Sequence, residues 1–190
     1  MKKHLITAFL MTIATTILLG LIYPLVVYGL AQIMFHDKAN GQILTRNGQA
    51  VGSRIIAQQF TGAKYFHPRP SNAGNGYDAA NSGGTNYAPT SQKLIDRVQA
   101  DAKALHEENP SQPIPVDLIT TSASGLDPEI SPAAAEFQVP RVARERGMDE
   151  SAVRSLVQKY TYQRDLGLLG EPRVNVLELN LALDDLAAKH

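Results

Sequence analysis

The sequence predicts a single transmembrane α-helix followed by one mixed α/β domain, an irregular, loop-rich arrangement of the α+β kind. Residues 5–35 contain no Asp, Glu, Lys or Arg. The residues that follow carry all 18 acidic side chains and 16 of the 18 basic ones. In that second part, helical and strand-like patterns alternate with stretches rich in Gly, Asn and Pro, which favour turns and loops.

The uncharged stretch is long enough to cross a bilayer. As an α-helix, residues 5–35 would extend about 45 Å, whereas the hydrocarbon core of a membrane is about 30 Å thick. Pro24 lies mid-segment and predicts a kink, because proline removes a helical hydrogen bond. A cleaved signal peptide is the alternative, with residues 29–31 resembling a cleavage site. The apolar stretch before that site is about twice as long as the usual hydrophobic region of a signal peptide, which favours a retained span.

The basic residues around the span predict its orientation. Lys2 and Lys3 precede it, and the positive-inside rule therefore places residues 1–4 in the cytoplasm. Residues 36–190 would then form a soluble domain outside the cytoplasm.

Small residues recur every four positions along one face of the span, at Ala8, Thr12, Thr16 and Gly20. Such a series forms a groove in which a partner helix can approach closely. The alternative is a lone anchor whose threonine hydroxyls bond back to carbonyls of their own helix.

Local signals predict the elements of the soluble domain. Asn47-Gly48 is typical of a type I′ hairpin turn between strands at 42–45 and 49–53. An apolar stripe predicts a helix over 91–108, capped by Thr90. Between them, 54–60 fits a strand or a helix start, prolines exclude a regular helix over 65–71, and 72–90 reads as a long loop.

The C-terminal third contains four more predicted elements. Ser131 and Pro132 begin a helix that runs to Arg146 and stops at Gly147, with Pro140 kinking or dividing it. Asp149 caps a second short helix. A strand follows over 173–179, and Asn180 then caps a terminal helix over 181–189.

Composition excludes several function classes. The chain has no Cys, so it has no disulfide, thiolate metal site or Cys nucleophile. Its formal net charge is zero, whereas a nucleic-acid binder is expected to be basic. His67, His106 and His190 show no zinc-ligand spacing. Asp117 and Asp127 could pair as acid and base, but nothing in the sequence brings them together. We assign no catalytic residue and no metal site.

Two short motifs remain as candidate binding sites. The glycines of Ser82-Gly83-Gly84-Thr85-Asn86 would let backbone N–H groups approach an anion such as a nucleotide phosphate, although Gly pairs more often mark ordinary turns. Arg69, flanked by two prolines, could bind an acidic group on a partner, or it could lie in a packed loop and cap carbonyls.

A third motif resembles a DNA-binding unit. Residues 141–160 read as a helix-turn-helix with Gly147 in the turn and four arginines. Acidic neighbours dilute those arginines, and the predicted orientation places the segment away from DNA. Two helices packed on the domain core are the favoured interpretation, and a membrane-tethered regulator is the alternative.

Taken in order, these motifs resemble a known family. The chain combines a span containing Tyr-Pro, Y-F-H-P-R-P-S at 65–71, S-G-G-T-N at 82–86, S-G-L-D-P-E-I-S-P-A-A-A at 124–135 and L-G-E-P-R-V-N-V-L-E-L-N-L-A-L at 169–183. This pattern is similar to the C subunit of Kdp-type potassium-transporting ATPases. Thr85 and Tyr87 depart from it, since Ser and Leu are usual there.

The resemblance implies a non-catalytic accessory subunit of a high-affinity potassium uptake pump in the bacterial inner membrane. Its partners would be a channel-like potassium-binding subunit, a P-type ATPase subunit and a small membrane peptide. The chain lacks both the D-K-T-G-T phosphorylation loop and a T-V-G-Y-G filter, as a non-catalytic subunit should.

The resemblance also implies a role in assembly, and it suggests a catalytic chaperone that raises the ATP affinity of the motor subunit through Ser82, Gly83, Gly84 and Asn86. No cofactor would be bound firmly, and ATP would be met only through the complex. A periplasmic domain meets no cytoplasmic ATP, so we favour an anchor helix that packs on the channel-like subunit and a domain that sits over the ion entrance.

Overall fold

The computed structural model describes residues 1–187. The chain divides into two compact units, the first being Met1–Ile43 and the second beginning at Leu44. The last part of the helix predicted over 181–189, together with His190, lies outside the described residues.

The N-terminal unit is almost entirely helical. It contains α1 (Lys2–Ile17), a π-helical segment (Leu18–Ile22), α2 (Tyr23–Met34) and the short α3 (His36–Ala39). The stretch Lys2–Met34 is one continuous helix, long and apolar enough to cross a membrane, and none of its most apolar window is buried in the structure. At the expected kink, the Tyr23 N–H bonds to the Leu18 carbonyl five residues earlier, so Pro24 follows a widened turn.

The second unit is a mixed helix and strand domain with two small sheets. The elements that follow α3 along the chain are β1 (Ile43–Arg46), β2 (Gln49–Ser53), α4 (Gln92–Glu108), a 3₁₀ turn (Val116–Leu118), β3 (Glu129–Ile130), α5 (Pro132–Arg146), α6 (Glu150–Lys159), β4 (Thr161–Tyr162), β5 (Arg173–Asn175) and α7 (Val176–Ala187). Strands β1 and β2 form one sheet. In the other, β5 is the central strand between β3 and β4, antiparallel to both.

Several local predictions are confirmed. Asn47 and Gly48 both have positive φ, 51° and 77°, as a type I′ turn requires. The Ser131 hydroxyl accepts the Ala134 N–H at the start of α5, and Gly147 has the left-handed φ of 63° that ends this helix. Pro140 lies inside α5 without dividing it.

Three local predictions are wrong. The N-cap of α4 is Ser91 rather than Thr90. Residues 54–60 form a turn and irregular chain instead of a strand or helix. The strand predicted over 173–179 ends at Asn175, whose Oδ1 accepts the Glu178 N–H and so caps α7 five residues earlier than expected. Asn180 is therefore not a cap but a buried residue within α7.

The core forms where α5, α6 and α7 meet. Its largest fully buried apolar side chains come from these helices, from β5 and from one loop residue, and they are Phe66, Phe137, Leu179, Leu183, Val139, Val142, Val153, Val174 and Val176. Phe66 is the exception in this set, because it belongs to no helix or strand. Its backbone polar groups must therefore be satisfied by side chains.

Two buried amides satisfy the backbone beside Phe66. Asn180 on α7 accepts the Phe66 N–H at 2.8 Å and donates to the Phe66 carbonyl at 2.9 Å. Gln138 on α5 does the same for His67, at 2.8 and 3.1 Å. Each amide is only 1% exposed. Residues 62–67, which we call the inter-helix segment, are thus held on both sides as a strand would be held by its neighbours.

An arginine completes the attachment of the inter-helix segment. Arg141 on α5 donates to the carbonyls of Ala63 and Tyr65, and its Nε lies 2.8 Å from Glu108 of α4. Gln138 also accepts from Arg141 Nη2 at 2.7 Å, which orients the guanidinium. The ion pair and the hydrogen bonds together compensate for burying the charge.

Replacing Gln138 should destabilise the domain strongly. Gln138→Leu leaves the His67 N–H and carbonyl without partners in a buried site, so we expect a loss of about 2–5 kcal/mol in unfolding free energy. The matched change Gln158→Leu, at an exposed glutamine on α6, should cost no more than about 0.5 kcal/mol. Urea unfolding of the full chain in detergent, followed by tyrosine fluorescence, measures both. Equal effects of the two changes would contradict this role for Gln138.

Candidate functional site

The two binding motifs predicted in the soluble domain lie in one group of packed loops, residues 69–86 and 120–127, which we call the loop cluster. Arg69 joins its parts. The guanidinium contacts Asp127 at 3.0 Å, and it donates to the Thr120 carbonyl at 3.4 Å and to the Thr121 carbonyl at 3.3 Å. Of its two predicted roles, the geometry displays the capping of carbonyls, and these belong to the second loop of the cluster.

A serine and a tyrosine fix the first loop of the cluster. Ser71 Oγ donates to the Gly125 carbonyl at 2.6 Å and accepts the backbone N–H groups of Ala73 and Tyr77. The Tyr77 hydroxyl donates to the Arg69 carbonyl at 2.7 Å. Burial raises the pKa of Tyr77 to about 12, so this hydroxyl stays protonated and remains a donor.

The Ser-Gly-Gly motif packs against residues 122–125. Ser82 Oγ and the Gly83 N–H both donate to the Ser124 carbonyl, at 3.0 and 2.9 Å. At Gly84 an added Cβ would lie 2.9 Å from the Ala123 carbonyl oxygen, so only glycine allows this approach. At Gly83 an added Cβ would meet nothing within 4 Å. A side chain at Gly83 would therefore meet no neighbouring atom, whereas a side chain at Gly84 would clash.

The outer side of this motif is open. Ser82 and Asn86 are exposed, and Asn86 adopts a left-handed φ of 52°. Among residues 1–187, the backbone N–H groups of Gly84, Thr85 and Asn86 have no hydrogen-bond partner. Successive unpaired amides are the groups with which a loop can bind an anion.

A charged cavity of about 480 Å³ adjoins the loop cluster and the sheet that contains β5. Arg69 and Arg173 line it together with Asp127 and Glu129. The Arg173 guanidinium lies 3.1 Å from Glu129. Burial raises the pKa of Glu129 above its ordinary range, and Arg173 opposes that shift. Asp117 and Glu171 also line it, so two basic and four acidic side chains surround the cavity, which therefore does not favour a simple anion.

The other chemical candidates have structural roles. Asp117 accepts the N–H and the hydroxyl of Ser131 at the start of α5, whereas Asp127 holds Arg69. They therefore serve separate partners. Burial and the nearby Arg141 lower the pKa of His67, so it is neutral near pH 7. Across residues 1–187, no three His, Cys, Asp or Glu side chains are grouped to hold a metal ion.

The helix-turn-helix motif is a pair of packed helices. Helices α5 and α6 bury Val153, Leu156 and Val157 between them and the core. Its four arginines each contact an acidic side chain: Arg141 with Glu108, Arg144 with Glu145, Arg146 with Asp184 and Arg154 with Glu150. The motif therefore presents no free cationic face of the kind that binds phosphates.

The predicted packing stripe lies on the exposed N-terminal helix. Ala8, Thr12 and Thr16 are on α1, and Gly20 falls inside the π-helical segment. The Thr12 hydroxyl donates to the Ala8 carbonyl at 2.9 Å, as the lone-anchor alternative expects. This bond does not fill the groove, because it leaves the small side chains of the stripe on the surface.

Sequence reasoning missed the second half of the loop cluster. Ser71, Ser124 and Gly125 hold the Ser-Gly-Gly motif in place, yet they lie up to 54 residues from their partners. One signal for this part of the cluster was available in the sequence, because Ser and Asp are typical of tight turns. Ser124 accepts the Leu126 N–H and Asp127 accepts the Glu129 N–H, each two residues further along the chain.

Comparison with known proteins identifies close relatives. A family model described as "K+-transporting ATPase, c chain" (KdpC) matches residues 5–185. The potassium-transporting ATPase KdpC subunit of Koribacter versatilis is 68% identical over 97% of this chain and 95% of that protein. The KdpC subunit of Acidobacterium capsulatum is 55% identical over 97% of this chain and 99% of its own length. That of Methylobacterium nodulans is 52% identical over the full length of both.

The two motif glycines should respond differently to alanine. Gly84→Ala forces a methyl group against a backbone carbonyl, so we expect a loss of about 1–3 kcal/mol in unfolding free energy. Gly83→Ala should leave stability unchanged or slightly raised. The midpoints of urea unfolding of the two variants and the wild type give the comparison. A destabilising Gly83→Ala would show that this loop packs otherwise.

Proposed function

The chain belongs to the KdpC family of K⁺-transporting ATPase c chains, and from this membership we propose that it assembles and stabilises the pump through an inserted N-terminal helix and a periplasmic domain. Members of this family are accessory subunits of a P-type ATPase complex. The proposal assigns this chain no part in phosphoryl transfer or in forming the pore.

The observation that carries the proposal is the exposed helix Lys2–Met34, whose most apolar window has no buried residue in the chain itself. An apolar helix of 33 residues needs lipid or other helices around it. The series Ala8, Thr12, Thr16 and Gly20 supports contact with another helix, because small side chains permit close backbone approach. We propose that this helix belongs to the channel-like potassium-binding subunit.

The proposed location of the soluble domain rests on Lys2 and Lys3, which favour a cytoplasmic N-terminus. A domain on the opposite side would lie where potassium enters. Its small excess of acidic residues would modestly raise the local cation concentration there. In this arrangement the loop cluster serves to hold the domain together rather than to bind a nucleotide.

A second candidate is the catalytic chaperone that raises the ATP affinity of the motor subunit. The unpaired backbone amides of residues 84–86, beside the exposed Ser82 and Asn86, support it because such amides can bind a phosphate. This candidate requires the soluble domain to be on the cytoplasmic side, where ATP is present. Topology therefore separates the two candidates.

A single introduced thiol measures the topology, since the chain has no cysteine. Ser111 is exposed in the soluble unit, and Ser111→Cys replaces one small side chain with another. We expect a membrane-impermeant thiol reagent to label it in intact cells with a permeabilised outer membrane. Labelling only after lysis would overturn the periplasmic location and favour the nucleotide candidate.

The packing stripe can be tested at Gly20. Gly20→Leu places a large side chain in the groove, and we expect the yield of chain that co-purifies with the channel-like subunit to fall at least tenfold. Gly29→Leu is the matched control, because it makes the same change on the same helix outside the four-residue series. Co-purification unaffected by Gly20→Leu, or lowered equally by both changes, would contradict the stripe.

A further inference from the structure

The connection between β4 and β5 carries the most exposed leucines of the soluble unit. We call residues 164–171 the leucine loop. Leu166 is 90% exposed, Leu168 81% and Leu169 61%. Three neighbouring apolar side chains in water gain nothing for the folded chain, so a patch of this kind marks a surface that contacts something else.

The leucine loop is held in one shape. Asp165 and Leu169 exchange backbone hydrogen bonds at 2.8 and 2.9 Å, and the Gly167 N–H bonds to the Arg164 carbonyl. Leu166 has a φ of 53°, a left-handed conformation that is unfavourable for leucine. The chain therefore accepts backbone strain at its most exposed leucine, as binding sites commonly do.

Charges around the leucine loop are already paired. Arg164 contacts Glu171 at 2.6 Å, and Arg173 contacts Glu129 at 3.1 Å and Asp165 at 3.4 Å. No cation of this collar is left for the anionic headgroups of a lipid surface, and residues 164–171 include no aromatic side chain. Apolar anchors inside a polar rim are instead typical of the centre of a protein interface.

We infer that the leucine loop docks in an apolar pocket on another subunit of the pump, one with a polar rim of low net charge that faces the mildly acidic collar. The inference rests on the proposed function, because it requires the chain to be part of the complex. It adds a second contact, made by the soluble unit, to the contact proposed for the N-terminal helix. A rigid loop loses little conformational entropy on docking, so little of the free energy gained by burying its leucines is offset by the cost of ordering it.

A fluorescent dye attached to the leucine loop tests which molecule the loop contacts. Leu168→Cys gives a single thiol, which is labelled with the environment-sensitive dye NBD before the chain is combined with the other subunits. We expect the emission to stay that of a water-exposed dye when one chain occupies a nanodisc alone. It should shift to the blue only in the assembled pump.

A substitution at Leu166 tests the energetics. Asn tolerates the left-handed conformation, so Leu166→Asn should keep or raise the melting temperature of the chain while removing the apolar side chain. We expect the affinity for the remaining subunits to fall about tenfold. Val116→Ser, at a side chain of the same unit that is 68% exposed, is the control and should change neither quantity.

Other results overturn the inference. A blue shift in the lone nanodisc chain would identify lipid as the occupant, and a concentration-dependent shift of the chain alone in detergent would identify a second copy. An exposed dye in a pump that assembles normally would refute docking and leave the proposed function intact. Failure of the unlabelled wild-type chain to assemble would instead refute the proposed function.

Discussion

The soluble domain depends on two buried amides that bond a loop as a neighbouring strand would. Asn180 and Gln138, on different helices, each satisfy both backbone groups of one residue, Phe66 and His67 respectively. Phe66 can enter the core only because its polar backbone is paired in this way. The same contacts fix the distance between α5 and α7, so the loop and the helix packing are determined together.

The position of the loop cluster depends on these bonds to Phe66 and His67. Once His67 is attached to α5, the chain enters residues 68–71 from a defined position, and Arg69 and Ser71 continue the attachment to residues 120–127. Few of these residues belong to helices or strands, and the domain is instead stabilised by side chains that bond to backbone groups. Irregular structure of this kind is specific, since each short contact requires one particular residue type.

The predictable parts of the fold were those encoded by neighbouring residues. Ser131 with Pro132, and Asn47 with Gly48, defined a helix start and a turn that the structure confirms. The alternation of apolar residues after Arg173 also satisfies the helical period, which explains why the sequence predicts a strand for residues 176–179, the first turn of α7. The partners of the Ser-Gly-Gly motif could not be predicted, because Ser82 and Ser124 are 42 residues apart and no local rule joins them.

The π-helical segment Leu18–Ile22 sets the rotational phase of the N-terminal helix. A π turn amounts to one additional residue within an α-helix, and each helical residue advances the face by about 100°. The side chains of α2 therefore point in directions that are rotated, relative to α1, from those they would have in an uninterrupted helix. Deletion of one residue in this segment would restore the regular phase and turn α2 relative to α1, although every neighbouring side chain would be unchanged. The faces of the helix must accordingly be counted separately from each end.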